Sequence, residues 1–191
     1  NLISLNYTKM TQIQALALPT LLKREDLTAK AKTGSGKTLA FAIAALSALN
    51  NEEEVQTLVI TPTRELAEQV ATVLRELARY RTNTTVLTLC GGTPLRPQAD
   101  ALKKCVEIVV GTPGRIKDHL AKGTLDITRV HTLILDEADI MLDMGFIEEI
   151  EGIIRNIKNT RHTMLFSATY PKSIENFAKR VQSRARFVEV E

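Results

Sequence analysis

The chain has no tryptophan, two cysteines and few aromatic side chains of any kind, with five Phe and three Tyr in 191 residues. So small an aromatic set offers no broad stacking platform for bases. Cys90 and Cys105 show neither CxxC nor metal-type spacing, which argues against a zinc site or a disulfide framework. Both lie in apolar stretches and are expected to be buried free thiols. His119, His131 and His162 also lack ligand spacing and read as structural. No uncharged run reaches the ~20 residues of a membrane span. None is longer than the run from Thr38 to Asn51. Asn1 to Leu22 is a mixed polar segment without a signal-peptide cleavage pattern. The expectation is therefore a soluble, cytoplasmic protein with no membrane partner. Lys and Arg number 25 against 22 acidic residues, a net charge of +3, so any basic footprint must be local. There is no internal repeat, low-complexity tract or long linker. The polar stretch Asn50-Asn51-Glu52-Glu53-Glu54 reads as a solvated loop.

What is present suits one domain with a sizeable core, at 44% hydrophobic residues. Strand-length apolar runs recur at Leu27–Ala31, Thr57–Thr61, Thr85–Leu89, Val106–Val110, Thr132–Leu135, Thr163–Ser167 and Arg186–Val190. They are continuous rather than alternating, as expected of parallel strands covered on both faces. Helical spacing of Leu, Ile and Val marks Leu39–Leu49, Arg64–Tyr80, Gln98–Lys104, Phe146–Ile157 and Lys172–Gln182. The alternation predicts an α/β fold, a mostly parallel, doubly wound sheet flanked by helices, with ligands at the strand carboxyl ends.

The stretch Ala31-Lys32-Thr33-Gly34-Ser35-Gly36-Lys37-Thr38 follows the first strand and opens a helix. In that setting a Gly-rich loop becomes a phosphate cradle. Gly34 and Gly36 let backbone N–H groups turn inward, and the helix adds its positive end. Lys37 can then reach the terminal phosphates, and the Thr38 hydroxyl can ligate Mg²⁺. Ala31 departs from the general pattern, which has Gly there. An ordinary strand-to-helix turn is the plainer alternative, disfavoured by the Gly-Lys-Thr ending.

A matching acidic pair closes another apolar strand, in Leu133-Ile134-Leu135-Asp136-Glu137-Ala138-Asp139. Asp136 can hold Mg²⁺ and Glu137 can orient an attacking water. An exposed acidic turn is the alternative. Ahead of the first strand, Thr11 and Gln14 have capping-box spacing for a helix running to Leu22. The Gln14 amide can equally read an adenine edge, with its donor and acceptor side by side. Thr112-Pro113 has the look of any helix start, and Gly91-Gly92 that of a plain turn. Ser167 and Thr169, after the sixth strand, can be turn formers and nothing else.

Taken together, the chain resembles the N-terminal RecA-like domain of a DEAD-box ATP-dependent RNA helicase. The residues that carry the likeness are Ala31–Thr38, Pro62-Thr63-Arg64-Glu65-Leu66-Ala67, Gly91-Gly92, Thr112-Pro113-Gly114-Arg115, Asp136–Asp139, Ser167-Ala168-Thr169 and a Q motif over residues 6–14. The Ala at position 31 is similar to the family's own variant of the phosphate loop. Around Thr88–Gly92 the chain is most similar to the DbpA-type branch of bacterial helicases, which act in ribosomal-RNA assembly.

The resemblance implies ATP and Mg²⁺ as cofactors and RNA as partner. It makes Gln14 the adenine reader, with Tyr7 packing on the base and Lys9 nearby. It makes Lys37, Asp136 and Glu137 catalytic and gives the metal to Thr38 and Asp136. It sets Pro62, Arg64, Gly91, Gly92, Thr112, Pro113, Gly114 and Arg115 on a face that holds single-stranded RNA by its backbone, without base readout. Arg96 is a weaker candidate on that face. Asp139, Ser167 and Thr169 become the link from hydrolysis to RNA opening. Three departures stand out: Met10 where the family usually has Pro, Ile140 where Arg is frequent, and no upstream aromatic, which would precede Asn1. Residues 1–191 are expected to form this domain alone, as a monomer, with the second RecA-like domain absent. Another P-loop motor acting on DNA, or a non-catalytic RNA clamp, are the competing readings. The clamp has no chemical need for Lys37, Thr38, Asp136 and Glu137.

Overall fold

The computed structural model describes residues 2–81 and 83–190; Asn1 and Glu191, which bound the expected domain, lie outside the described residues. Seven strands form one sheet: β1 (Leu27–Lys30), β2 (Thr57–Ile60), β3 (Val86–Leu89), β4 (Ile108–Gly111), β5 (Thr132–Leu135), β6 (His162–Ser167) and β7 (Arg186–Glu189). Their order is β3-β4-β2-β5-β6-β1-β7. Every neighbouring pair is parallel, so the sheet is wholly rather than mostly parallel. All seven expected strands are found, their ends shifted by a residue or two.

The helices are α1 (Gln12–Leu21), α2 (Lys37–Ala48), α3 (Arg64–Ala78), α4 (Leu95–Leu102), α5 (Pro113–Ala121), α6 (Ala138–Asp143), α7 (Ile147–Ile154) and α8 (Lys172–Val181). α4 starts ahead of the expected Gln98 because Pro97 falls in its first turn, where a missing N–H breaks no helical bond. The short α6, directly after the acidic pair, has no counterpart among the helical spacings of the sequence. Among the described residues no helix is long and apolar enough to cross a membrane.

Alternate strand residues feed two separate cores, as a period of two requires. Val59, Ile108, Val110, Ile134, Met164 and Phe166 pack with Ile13, Phe41, Val70 and Leu74 from α1, α2 and α3. Leu58, Ile60, Val109, Leu133, Leu135 and Leu165 pack with Ile116, Met141, Ile150 and Phe177 from α5, α6, α7 and α8. Both faces are covered over β2, β4, β5 and β6, which is why these strands read as unbroken apolar runs, whereas the edge strand β7 buries only Val188 and does not. One expectation fails here: Cys90 is buried at the end of β3, but Cys105 is exposed. Cys105 lies in the turn after α4, short of the strand, which begins only at Ile108.

Because all strands run the same way, every strand-to-helix loop emerges at one edge of the sheet. Two groups of loops result. β6 sits between β1 and β5, so the loops after these three strands are neighbours. The loops after β2, β4 and β3 form the second group. β4 ends on Gly111 for a steric reason, since a Cβ there would lie 2.5 Å from the Leu89 carbonyl oxygen on β3.

Candidate functional site

The phosphate loop leaves β1 with the Ala31 N–H donating to the Ser167 carbonyl at 2.9 Å. Ala31 is itself buried, which explains why a small side chain is tolerated where the general pattern has Gly. Lys32, Thr33 and Gly34 are exposed. Gly34 and Gly36 have φ of 83° and 92°, a region open to glycine at little cost. Gly36 is also sterically required: a Cβ would come 2.7 Å from Gln14 Nε2 and 2.8 Å from Thr11 Oγ1. Lys37 begins α2, with Thr38 next to it at the helix's positive end.

The Lys37 ammonium lies buried, 3.0 Å from Asp136 Oδ1 and 3.9 Å from Glu137 Oε1. Ser35 Oγ, Lys37 Nζ and Asp136 Oδ2 are buried without a hydrogen-bond partner. Unsatisfied buried groups are costly, and here a hydroxyl and a carboxylate oxygen go without hydrogen bonds beside the buried Lys37–Asp136 ion pair. That donor set fits a phosphate with its Mg²⁺. Among the described residues no cluster of three His, Cys, Asp or Glu could hold a metal. Asp136 and Thr38 are the residues that could hold such a cation together with the phosphates, the usual economy of Mg²⁺ sites.

Burial pushes the Asp136 carboxyl up from its ordinary pKa, the Lys37 charge opposes that, and Glu137 adds to it. Glu137 has φ 55° and ψ 54°, a left-handed conformation rare for a residue with a long side chain. Its N–H donates to Asp136 Oδ1 at 3.0 Å, and its Oε1 accepts from Thr33 Oγ1 at 3.3 Å. Backbone strain held in this way clusters at reactive positions.

Around α1 the capping alternative is realised, since the Thr11 N–H donates to Gln14 Oε1 at 2.9 Å. The same amide does more: Gln14 Nε2 donates to the Gly36 carbonyl at 3.1 Å. The capped helix is thus tied to the phosphate loop. Tyr7 and Lys9 lie exposed in the segment leading into α1. Thr11, which packs on Gly36, is a site neighbour that its capping pattern alone did not reveal.

Asp139 on α6 is buried, its N–H donating to Ser167 Oγ at 3.2 Å. Its Oδ2 accepts from both the N–H and the hydroxyl of Thr169, each at 2.9 Å. Burial pushes this carboxyl up, but the bonds from Thr169 and Ser167 outweigh it and hold the pKa below the usual value. Ser167 and Thr169 are therefore more than turn formers.

The second group of loops carries the remaining candidates. Thr63 caps α3 by accepting from the Leu66 N–H at 3.3 Å, and Arg64 follows, exposed. A Cβ on Gly92 would lie 3.6 Å from Arg64 Nη1, so the loops after β2 and β3 meet. Gly91, Gly92, Gly114 and Arg96 are exposed and Thr112 partly so, its hydroxyl making no capping bond. Pro62 and Pro113 are buried and shape the backbone without facing outward. Arg115 also turns inward: its Nη1 donates to the Thr93 carbonyl at 3.0 Å and to Gln98 Oε1 at 2.9 Å. In the sequence Gln98 marks only the start of a helical run, and a lone amide on a helix carries no signal for more.

Fold and loops together define the RecA-like class of P-loop nucleotide-binding domains. The sequence profile of the DEAD/DEAH box helicase family matches residues 11–177, and the chain belongs to that family. It is 48% identical to the ATP-dependent RNA helicase DbpA of Escherichia coli, over all of this chain and 42% of that protein. It is 44% identical to the DEAD-box ATP-dependent RNA helicase CshA of Geobacillus kaustophilus, over 97% of this chain and 40% of that one. The crystal structure of a DEAD box protein from Methanococcus jannaschii superimposes with a TM-score of 0.94 at 41% identity, covering 100% of this chain and 52% of that chain. The chain thus spans under half the length of these two curated relatives.

Proposed function

We propose that this chain is the ATP-binding half of an ATP-dependent RNA helicase, a cytoplasmic monomer whose second RecA-like domain completes the enzyme. The observation that carries the reading is the buried Lys37–Asp136 ion pair, with Ser35 Oγ and Asp136 Oδ2 left without hydrogen-bond partners, next to Gly36, which admits no side chain. Lys37 would leave Asp136 for the terminal phosphates, and Asp136 with Thr38 would hold Mg²⁺, which neutralises charge on the phosphates. Lys32, Thr33, Gly34, Ser35 and Gly36 would wrap the phosphate chain with backbone N–H groups. Glu137, strained into place, would orient the attacking water. Gln14 would read adenine while anchored to Gly36, with Tyr7 against the base and Lys9 beside it.

Arg64, Gly91, Gly92, Thr112 and Gly114 would hold the RNA backbone, with Pro62, Pro113 and Arg115 shaping the loops. Asp139, Ser167 and Thr169 would carry the state of the nucleotide site toward that face, so that hydrolysis is coupled to local duplex unwinding. The likeness to DbpA supports a ribosomal-RNA substrate in ribosome assembly. An arginine finger from the second domain is typically worth ~10³–10⁵ in rate, so the isolated domain should barely turn over.

The test is RNA-stimulated ATPase activity of the full-length protein with ribosomal RNA, random RNA, DNA and no nucleic acid, beside nucleotide titrations with ATP, ADP and GTP. Lys37→Ala should abolish nucleotide binding. Glu137→Gln should leave binding intact and stop turnover. Loss of binding in the Glu137 variant, brisk turnover by residues 1–191 alone, or equal stimulation by DNA would each count against the reading.

A further inference from the structure

Gln98 lies on α4, outside every segment assigned a role above, yet each hydrogen-bonding position of its amide is used. Nε2 donates to the Cys90 carbonyl and to Thr93 Oγ1, both at 3.0 Å. Oε1 receives Arg115 Nη1 and lies against His119 Nε2, both at 2.9 Å. An amide offers two donors and two principal acceptor sites, so this one is saturated. Its partners belong to two different loops. Cys90 and Thr93 flank Gly91-Gly92 after β3, whereas Arg115 and His119 lie on α5, which begins where β4 ends. Arg115 adds a second strut, from the same Nη1 to the Thr93 carbonyl at 3.0 Å.

The two loops that Gln98 joins expose Gly91, Gly92 and Gly114, which present backbone rather than side chain. Backbone N–H groups can grip successive phosphates only if their separation matches the nucleic-acid repeat, because hydrogen bonds weaken steeply with distance and angle. We infer that Gln98 is a positioning residue for RNA: it sets the spacing of the 91–92 and 112–114 loops without touching the strand. The inference rests on the reading of these loops as RNA contacts. Saturation also fixes the amide's sense, with the oxygen toward α5 and the nitrogen toward the β3 loop. Glutamate can therefore replace only half of it, still accepting from Arg115 and His119 but unable to donate to the Cys90 carbonyl.

The experiment uses the full-length protein with a single-stranded RNA oligonucleotide, reading the half-saturating RNA concentration and the maximal rate of ATPase activity. ADP affinity and melting temperature are measured alongside. Gln98→Leu should raise the half-saturating RNA concentration about tenfold, as expected for losing a set of partly buried hydrogen bonds, with ADP affinity and the rate at saturating RNA little changed. Gln98→Glu should fall between wild type and Gln98→Leu, and it carries the test alone if the leucine variant does not fold. Unaltered RNA dependence in the folded variants, or ADP affinity falling in step with RNA affinity, would overturn the inference. Arg64→Ala separates the two levels of argument. If it leaves RNA binding intact, the RNA face itself is misassigned; if it weakens RNA binding while Gln98 variants do not, only the positioning role is lost.

Discussion

Lys37→Met replaces a buried ammonium by an apolar chain of similar length and leaves Asp136, with no exposed surface, without the cation 3.0 Å away. Breaking a buried pair from one side typically costs about 3–5 kcal/mol, because the surviving charge is left in a medium that solvates it poorly. Against a total stability of about 5–15 kcal/mol for a domain, that is a large fraction. The pH dependence follows from the same geometry. Burial already raises the Asp136 pKa and Lys37 opposes it, so removing Lys37 raises it further. A carboxyl whose folded pKa exceeds its unfolded value contributes stability that is fully present below the unfolded pKa and is lost as pH rises through the folded one. The deficit of the variant should therefore be greatest at neutral pH, at least about 3 kcal/mol, and shrink toward pH ~4. Urea unfolding of wild type and variant across that range reads the difference directly. The double variant Lys37→Met/Asp136→Leu removes both charges and should recover most of the loss. A variant as stable as wild type at pH 7, or a deficit that does not shrink in acid, would refute the buried-pair argument.

Two further outcomes follow from buried or strained groups. His162 is buried at the start of β6, and desolvation lowers its pKa from 6.5 to about 4, with His131 and Arg24 contributing. The unfolded chain then binds the extra proton first, so stability is whole above pH 6.5 and is lost as pH falls toward 4, by up to about 3 kcal/mol. Replacing His162 by valine should flatten that part of the stability–pH curve, and an unchanged slope would assign the acid sensitivity elsewhere. Glu137→Asn keeps a residue that tolerates φ 55° far better than glutamate. It should abolish turnover and be about 0.5–1 kcal/mol more stable than Glu137→Gln, which also lacks the carboxylate; a Glu137→Asn variant no more stable than Glu137→Gln on thermal melting would mean that the conformation carries no strain.

Much of the site was legible because its parts are local. The phosphate loop is one contiguous stretch between a strand and a helix, and Gly36, Lys37 and Thr38 sit where that pattern puts them. Asp136 was legible because an acidic residue at the end of an apolar strand has few bland explanations. Other residues were ambiguous in one dimension. Gln14 has capping spacing, and only the bond to Gly36, 22 positions away, shows that the cap also touches the phosphate loop. Arg115 carries the resemblance to an RNA-holding face, and nothing nearby in sequence reveals that it bonds inward to Thr93 and Gln98. Cys105 read as buried because its apolar neighbours suggested a strand that in fact begins later.

The order of amino acids was enough to determine the seven strands, the alternation with helices and which residue types each loop carries. Those features depend on periodicity and backbone preference within a dozen residues. Tertiary structure alone decided that β6 lies between β1 and β5, which brings Lys37 to Asp136 and Thr169 to Asp139. It alone decided that Gln98 faces two loops at once. Strand order, and the direction of a polar side chain on a helix, are settled by which apolar faces bury against one another. That competition involves the whole chain and leaves no mark at any single position.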